Sequence, residues 1–223
     1  MHTAHINKSG NKQSVPEHSL GTAEKSKEYS GLINAENIGE LQGLLHDMGK
    51  LCRDFDKYIN KENDLKRGEL DHSYAGAKYI TQIADDMGGE YYTVSRFIAH
   101  TIISHHGLHD WYDFDGNDYL KKRISNSANY NEMLSAVDAI KSRSEIEKII
   151  IKANNEYTYI RSQINALCKN ISEKEIKKQS RAFYLGLFER LMQSILIDAD
   201  RTNTADFMSE SSTEITHTHE ELE

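Results

Sequence analysis

Proline occurs once in this chain of 223 residues, at Pro16. Its ring removes a backbone donor and clashes with the preceding helical turn, so it is the strongest interrupter of a helix. Nothing of that kind breaks the chain after residue 16, and long helices are the expected outcome. Apolar residues recur at helical spacing through most of the chain, and no convincing alternating pattern marks a strand. An all-α fold is therefore expected. Pro16 is well placed at the start of a first helix, from about Glu17 to Leu32. A second helix carries Ile38, Leu41, Leu44 and Leu45 on one face and ends near Gly49. A third begins at Ser73, a plausible cap, and stops at Gly88-Gly89. A fourth runs from about Tyr91 to His105, with Gly107 beyond it. The stretch from His109 to Asn117 reads as a loop. A long helix from about Ser144 to Cys168 carries Ile146, Ile149, Ile150, Ala153 and Tyr157 at helical spacing. The last runs from about Glu173 to Asp200, with Phe183, Leu187, Leu191, Ile195 and Leu196 expected inward. Beyond Phe207 the chain turns polar and reads as a linker or frayed end.

Composition bounds the class. With 38% hydrophobic and 28% charged residues the chain suits a globular protein of one large or two small domains. Cys52 and Cys168 form no disulfide framework and read as reduced thiols, which points to the cytoplasm. The polar N-terminus has no signal core, and Ile149-Ile150-Ile151 is far too short to span a bilayer, so no membrane role is expected. The net charge of −8 argues against broad charge neutralisation of duplex DNA. It allows a nuclease, because bound metal cations offset local negative charge. The runs Lys121-Lys122-Arg123 and Lys174, Lys177, Lys178, Arg181 read as solvated helix faces, with phosphate contact as the alternative. No phosphate-binding Gly-rich loop, serine elbow or zinc-finger spacing is present.

The chemistry lies in histidines and aspartates. In Leu44-Leu45-His46-Asp47-Met48-Gly49-Lys50 an adjacent His-Asp pair closes an apolar stretch. Neighbours on a helix point about 100° apart, so both can serve one site only across the helix end. Neutral imidazole and ionised carboxylate suit Mn, Fe, Co, Ni or Zn. The alternative is a surface dipeptide, which Leu44, Leu45 and Met48 disfavour. His105-His106 repeats the arrangement after Phe97, Ile98, Ile102 and Ile103, and either binds metal or caps a helix C-terminus. Asp198 and Asp200 follow Leu196-Ile197, where unpaired carboxylates would be costly to bury. A metal relieves that cost, and so does a salt bridge to Arg201. His18 and His72 taken singly are more often surface or capping residues. His100 reads as packing, and His2, His5, His109, His217 and His219 have no supporting context.

In order, His18, His46-Asp47 with Gly49-Lys50, His72-Ser73, His105-His106-Gly107 and Asp198-Ala199-Asp200-Arg201 resemble the HD nuclease domain of the CRISPR type I helicase-nuclease. The lone His72 and the His-His-Gly distinguish this subgroup from the wider HD superfamily. The stretch from Ala4-His5-Ile6 to Glu17-His18 also looks like the start of that domain. The resemblance implies an HD-domain helical bundle over residues 1–207, with residues 208–223 a polar tail or linker to a following helicase domain. It implies a metal-dependent nuclease cutting single-stranded DNA, with two divalent transition metal ions. One would be held by His18, His46, Asp47 and the late aspartate. The other would be held by His72, His105, His106 and Asp47, which bridges. The late aspartate is assigned to Asp200, which directly follows Ala199, with Asp198 the second choice. Lys50 would contact the scissile phosphate or tune Asp47. Two metals about 3.5–4 Å apart activate a water and stabilise the attacking and leaving oxygens, so no protein nucleophile is needed. The partners implied are single-stranded DNA, a helicase in cis or in trans, and a CRISPR RNA-guided effector complex.

Two other readings remain open. An HD phosphohydrolase acting on nucleotides or cyclic dinucleotides would share the metal site. A non-catalytic helical interaction domain would bind no metal.

Overall fold

The computed structural model describes residues 2–66 and 69–213, with side chains to Ser209. His217 and His219 lie outside the described residues. The chain opens with a small antiparallel hairpin that the sequence did not announce, β1 (Thr3–Ile6) paired with β2 (Lys12–Ser14). Strands of four and three residues are too short to display an alternating pattern. Gly10, at φ 84°, takes the left-handed turn between them. The hairpin is tied down by the Thr3 N–H, which donates to Asp56 Oδ1 at 3.0 Å, and by His2 Nδ1, 2.8 Å from Asp56 Oδ2.

Helix α1 (Val15–Gly31) starts in a capping box. The Glu17 N–H donates to Ser14 Oγ and the Ser14 N–H to Glu17 Oε2, satisfying two of the donors a helix start leaves free. Pro16 sits in that first turn, where its missing N–H costs nothing. Helix α2 (Glu36–Leu45) stops before the His-Asp pair rather than near Gly49, and a short 3₁₀ turn follows at Met48–Lys50. Next come α3 (Arg53–Ile59), α4 (Ser73–Met87) and α5 (Tyr92–Ile103). Two predicted details shift here. His72, not Ser73, occupies the cap position of α4, and His105 and His106 lie in the turn beyond α5 instead of on it. Two short helices, α6 (Tyr119–Ile124) and α7 (Tyr130–Ala136), precede α8 (Arg143–Leu167) and α9 (Lys174–Thr213). α9 runs on through residues 208–213, part of the expected polar tail.

The fold is an all-α bundle around α2. Ile38, Leu41, Leu44 and Leu45 are fully buried, among Tyr74, Ile80 and Ile83 of α4, Ile98 and Ile102 of α5, and Ile146 and Ile150 of α8. Each such side chain contributes about 1.5–3 kcal/mol by leaving water. α8 buries the face its spacing predicts. α9 does not. Phe188, Met192, Leu196 and Ala199 face the core, whereas Phe183, Leu187 and Leu191 are exposed. Among the described residues no helix is long and apolar enough to cross a membrane.

Candidate metal centre

Close backbone packing brings distant histidines together. A Cβ at Gly43 would stand 2.5 Å from Ala23 Cα, so only glycine lets α2 lie this near α1. That approach leaves the rings of His18 and His46 5.2 Å apart, with Nε2 facing Nε2 at 3.3 Å. A Cβ at Gly49 would stand 2.0 Å from the His72 carbonyl oxygen. The 3₁₀ turn therefore rests directly on the start of α4, and His72 Nε2 comes within 3.5 Å of Asp47 Oδ1. Gly49→Ala is expected to destabilise the fold by about 1–3 kcal/mol and to weaken metal uptake, read by thermal melting and metal content. Unchanged values for both would remove the close approach from the explanation.

Asp47 is 1% exposed and stands between two sets of donors. Its Oδ2 lies 3.3 Å from His18 Nε2, 3.4 Å from His46 Nε2 and 2.6 Å from the Lys50 ammonium. Its Oδ1 lies 3.5 Å from His72 Nε2 and 3.8 Å from His105 Nε2. Asp200 Oδ1 joins the first set, 3.1 Å from His18 Nε2 and 3.8 Å from His46 Nε2. His106 joins the second through a 2.7 Å contact with His72 Nε2. The ligand atoms of Asp47, His72, His105 and His106 all lie within 4.8 Å of one another, as do those of His18, His46 and Asp200. Donors about 2.0–2.2 Å from one tetrahedral ion sit roughly 3.3 Å apart, and most of these contacts fall near that spacing.

The tautomers suit a cation. The Nδ1–H groups of His46, His72 and His105 donate to the carbonyls of Gly43, Leu70 and Ile102, and that of His18 donates to Asn203 Oδ1 at 2.9 Å. Each Nε2 lone pair is thereby aimed inward, the orientation that ligating histidines take from their outer partners. Asp47 Oδ1 and His105 Nε2 are buried without a hydrogen-bond partner. Acceptors facing one another in a dry site are costly to leave so, and a divalent ion between them removes the cost. The residues present fit a metal.

Without metal, a proton must do part of this work. Burial opposes charge on His46, but the Asp47 and Asp200 carboxylates prevail and its pKa is raised to about 10. Burial likewise disfavours ionised Asp47, yet Lys50, His46 and His18 hold it well below the usual carboxylate range. Asp200 is depressed too, against its burial, by His18 and His46. On the other side burial dominates. His72 falls to about 4 and His105 well below its ordinary value, despite Asp47. Metal entering beside His46 must therefore displace a proton anywhere below pH 10, and its affinity falls by up to tenfold per unit of acidification. Metal entering at His72, with its pKa lowered to about 4, meets a neutral imidazole at pH 6 and above, and burial keeps His105 neutral in the same way. If each set takes an ion, calorimetry at pH 6 and 8 in buffers of different ionisation enthalpy should find release of about one proton for the ion beside His46 and almost none for the other.

All seven predicted ligand positions, His18, His46, Asp47, His72, His105, His106 and Asp200, are thus brought together, with Lys50 on Asp47. Asp198 is exposed and stands outside both sets. His100 packs, stacked on Trp111 at 4.5 Å with Nδ1 2.5 Å from Glu189 Oε1. His109 stacks on Tyr119, and His2 pairs with Asp56. Lys121, Lys122, Lys174 and Lys178 are exposed, whereas Arg123 binds Asp71 and Ser73 and lines the cleft. Two residues at the site are unexpected there, Asn203, which the sequence does not single out, and His5, which has no supporting context of its own. Asn203 accepts from both His18 and Gln13, and its signal is its place three residues after Asp200, legible only once α9 is known to continue. His5 lies on β1 with its ring 4.6 Å from that of His18.

A cleft of about 990 Å³ opens onto the centre. Its wall includes His5, His72, His105, His106 and Asp200, with Lys50, Lys66, Arg123 and Arg201 as cations and Phe55 and Tyr58 as aromatic faces. A search of curated proteins finds no match. The HD domain family profile matches residues 15–152, which include His18, His46-Asp47, His72 and His105-His106. The chain therefore belongs to the HD domain family of metal-dependent phosphohydrolases.

Proposed function

We propose that this HD domain is a two-metal nuclease that hydrolyses phosphodiester bonds of single-stranded DNA in CRISPR type I interference. The observation that carries the reading is the division of Asp47, one carboxylate oxygen toward each set of histidines. A carboxylate so placed suits a bridge between two cations about 3.5–4 Å apart, and such a pair activates water and stabilises both oxygens of an in-line displacement. The lone His72 and the His105-His106 pair support the CRISPR subgroup within the HD family.

The chain's own residues supply the rest. Lys50, itself nearly buried, holds Asp47 Oδ2 at 2.6 Å and keeps the carboxylate ionised and oriented. Arg201 and Lys66 give the cleft wall positive charge for a phosphate backbone, while Arg123 is paired with Asp71. Tyr58, half-buried on the cleft wall, offers a face on which a base can stack, which suits an unpaired strand. The partners in this reading are a helicase, joined beyond the 208–223 segment or supplied in trans, and an RNA-guided effector complex.

Incubating the manganese-loaded protein with circular single-stranded DNA and with a panel of nucleotides and cyclic dinucleotides tests the substrate. Cutting of the circle is the expected result. Turnover of nucleotides with the circle intact would overturn the nuclease reading and leave a nucleotide phosphohydrolase.

A further inference from the structure

The two sets of donors differ in how they meet solvent. His72, His105 and His106 line the cleft, while His18 and His46 are fully buried behind it. One more imidazole, half-buried on the cleft wall, stands beside His18. His5 lies on β1, outside the residues that the family profile matches. One of its ring nitrogens, one of His18's and a carboxylate oxygen of Asp47 all lie within 4.8 Å of one another. The rings of His5 and His18 meet edge to face at 78°.

The hairpin holds His5 there firmly. Ala4 beside it is buried at 1% exposure. His5 pairs in register with Gln13, and Gln13 Nε2 donates to Asn203 Oδ1, the atom that also accepts from His18. Among the described residues its hydrogen-bond contact is a long one, Nε2 to Thr204 Oγ1 at 3.4 Å. Among the described residues no carboxylate or carbonyl hydrogen-bonds the imidazole, so a nitrogen remains available to a cation.

We propose that His5 is a further ligand of the metal on the His18 side of Asp47, where its ring nitrogen stands with one of His18's and the carboxylate. This rests on the two-metal reading above. With Asp47 the His18 side then has five protein donors, one more than the side of His72, His105 and His106.

The test measures Co²⁺ binding to the full chain by calorimetry, together with the visible absorption of the bound cobalt. Wild type should bind two ions. His5→Ala should weaken one by at least about tenfold, no less than the loss of a supporting group costs, and change that ion's absorption, while the other keeps its affinity. His5→Asp, which restores a donor, should recover most of the loss. If His5→Ala melts in the metal-free state, His5→Gln carries the same comparison. Two ions bound by the variant with unchanged affinities and spectra would overturn this inference alone. A wild type that takes up no metal would overturn the two-metal reading and this inference with it.

Discussion

Asp47→Asn should abolish uptake of both metals and lower cutting of single-stranded DNA by more than about 100-fold, past the roughly 10–100-fold typical of losing an outer-shell group. The effect is double because one side chain serves both sets of donors, Oδ2 toward His18 and His46 and Oδ1 toward His72 and His105. An amide presents one acceptor where the carboxylate presents two, and it carries no charge to balance the cations. The same change leaves the nearly buried Lys50 without the oxygen it contacts at 2.6 Å, and breaking such a pair costs about 3–5 kcal/mol. His106→Ala is the necessary comparison. His106 is exposed and belongs to the cleft-side set alone, so its removal should cost one ion and spare the fold. Metal content, circular dichroism and DNA cutting measured on both variants separate the two causes. Retention of one tightly bound ion by Asp47→Asn would show that Asp47 does not serve both positions.

The second large effect is on stability. The metal-free centre keeps Asp47 Oδ1 and His105 Nε2 buried without hydrogen-bond partners. Metal binds this arrangement far better than an unfolded chain, so loading stabilises by mass action. At free metal about 1,000 times the dissociation constant the gain is roughly 4 kcal/mol for each ion. For a domain of this size about 2–4 °C accompanies each kcal/mol, and saturating Mn²⁺ should raise the melting temperature by about 10 °C or more. A chelator should return it to the metal-free value. A melting temperature indifferent to both would mean that the cluster is satisfied as it stands.

Much of this fold can be read from local pattern, and the exceptions have physical causes. The faces of α2 and α8 are legible because Ile38, Leu41, Leu44 and Leu45, and then Ile146, Ile149, Ile150 and Ala153, are the dominant apolar stripes of their helices. α9 carries two such stripes. Phe183, Leu187 and Leu191 match helical spacing as well as Phe188, Met192 and Leu196 do, and only tertiary packing decides that the second is covered. The choice between Asp198 and Asp200 has the same origin, since residues two apart lie about 200° apart around a helix. α2 ends early, at Leu45, and the 3₁₀ turn that follows meets His72 through Gly49, a contact that no local window contains.

The centre divides in the same way. Adjacent pairs such as His46-Asp47 and His105-His106 stand out in a sequence because two donors in succession are conspicuous at the end of an apolar helix. His5 and Asn203 do not stand out. One lies in a four-residue strand, and the other depends on α9 continuing past Asp200.

The claim on which everything else rests is that Asp47 joins two metal positions. Loading the metal-free chain with Mn²⁺ and recording its electron paramagnetic resonance while counting bound ions tests it most directly. Two ions per chain with the split spectrum of a magnetically coupled pair, as expected for ions about 3.5–4 Å apart, is the predicted result. A single ion per chain, or two ions with uncoupled spectra, would contradict it.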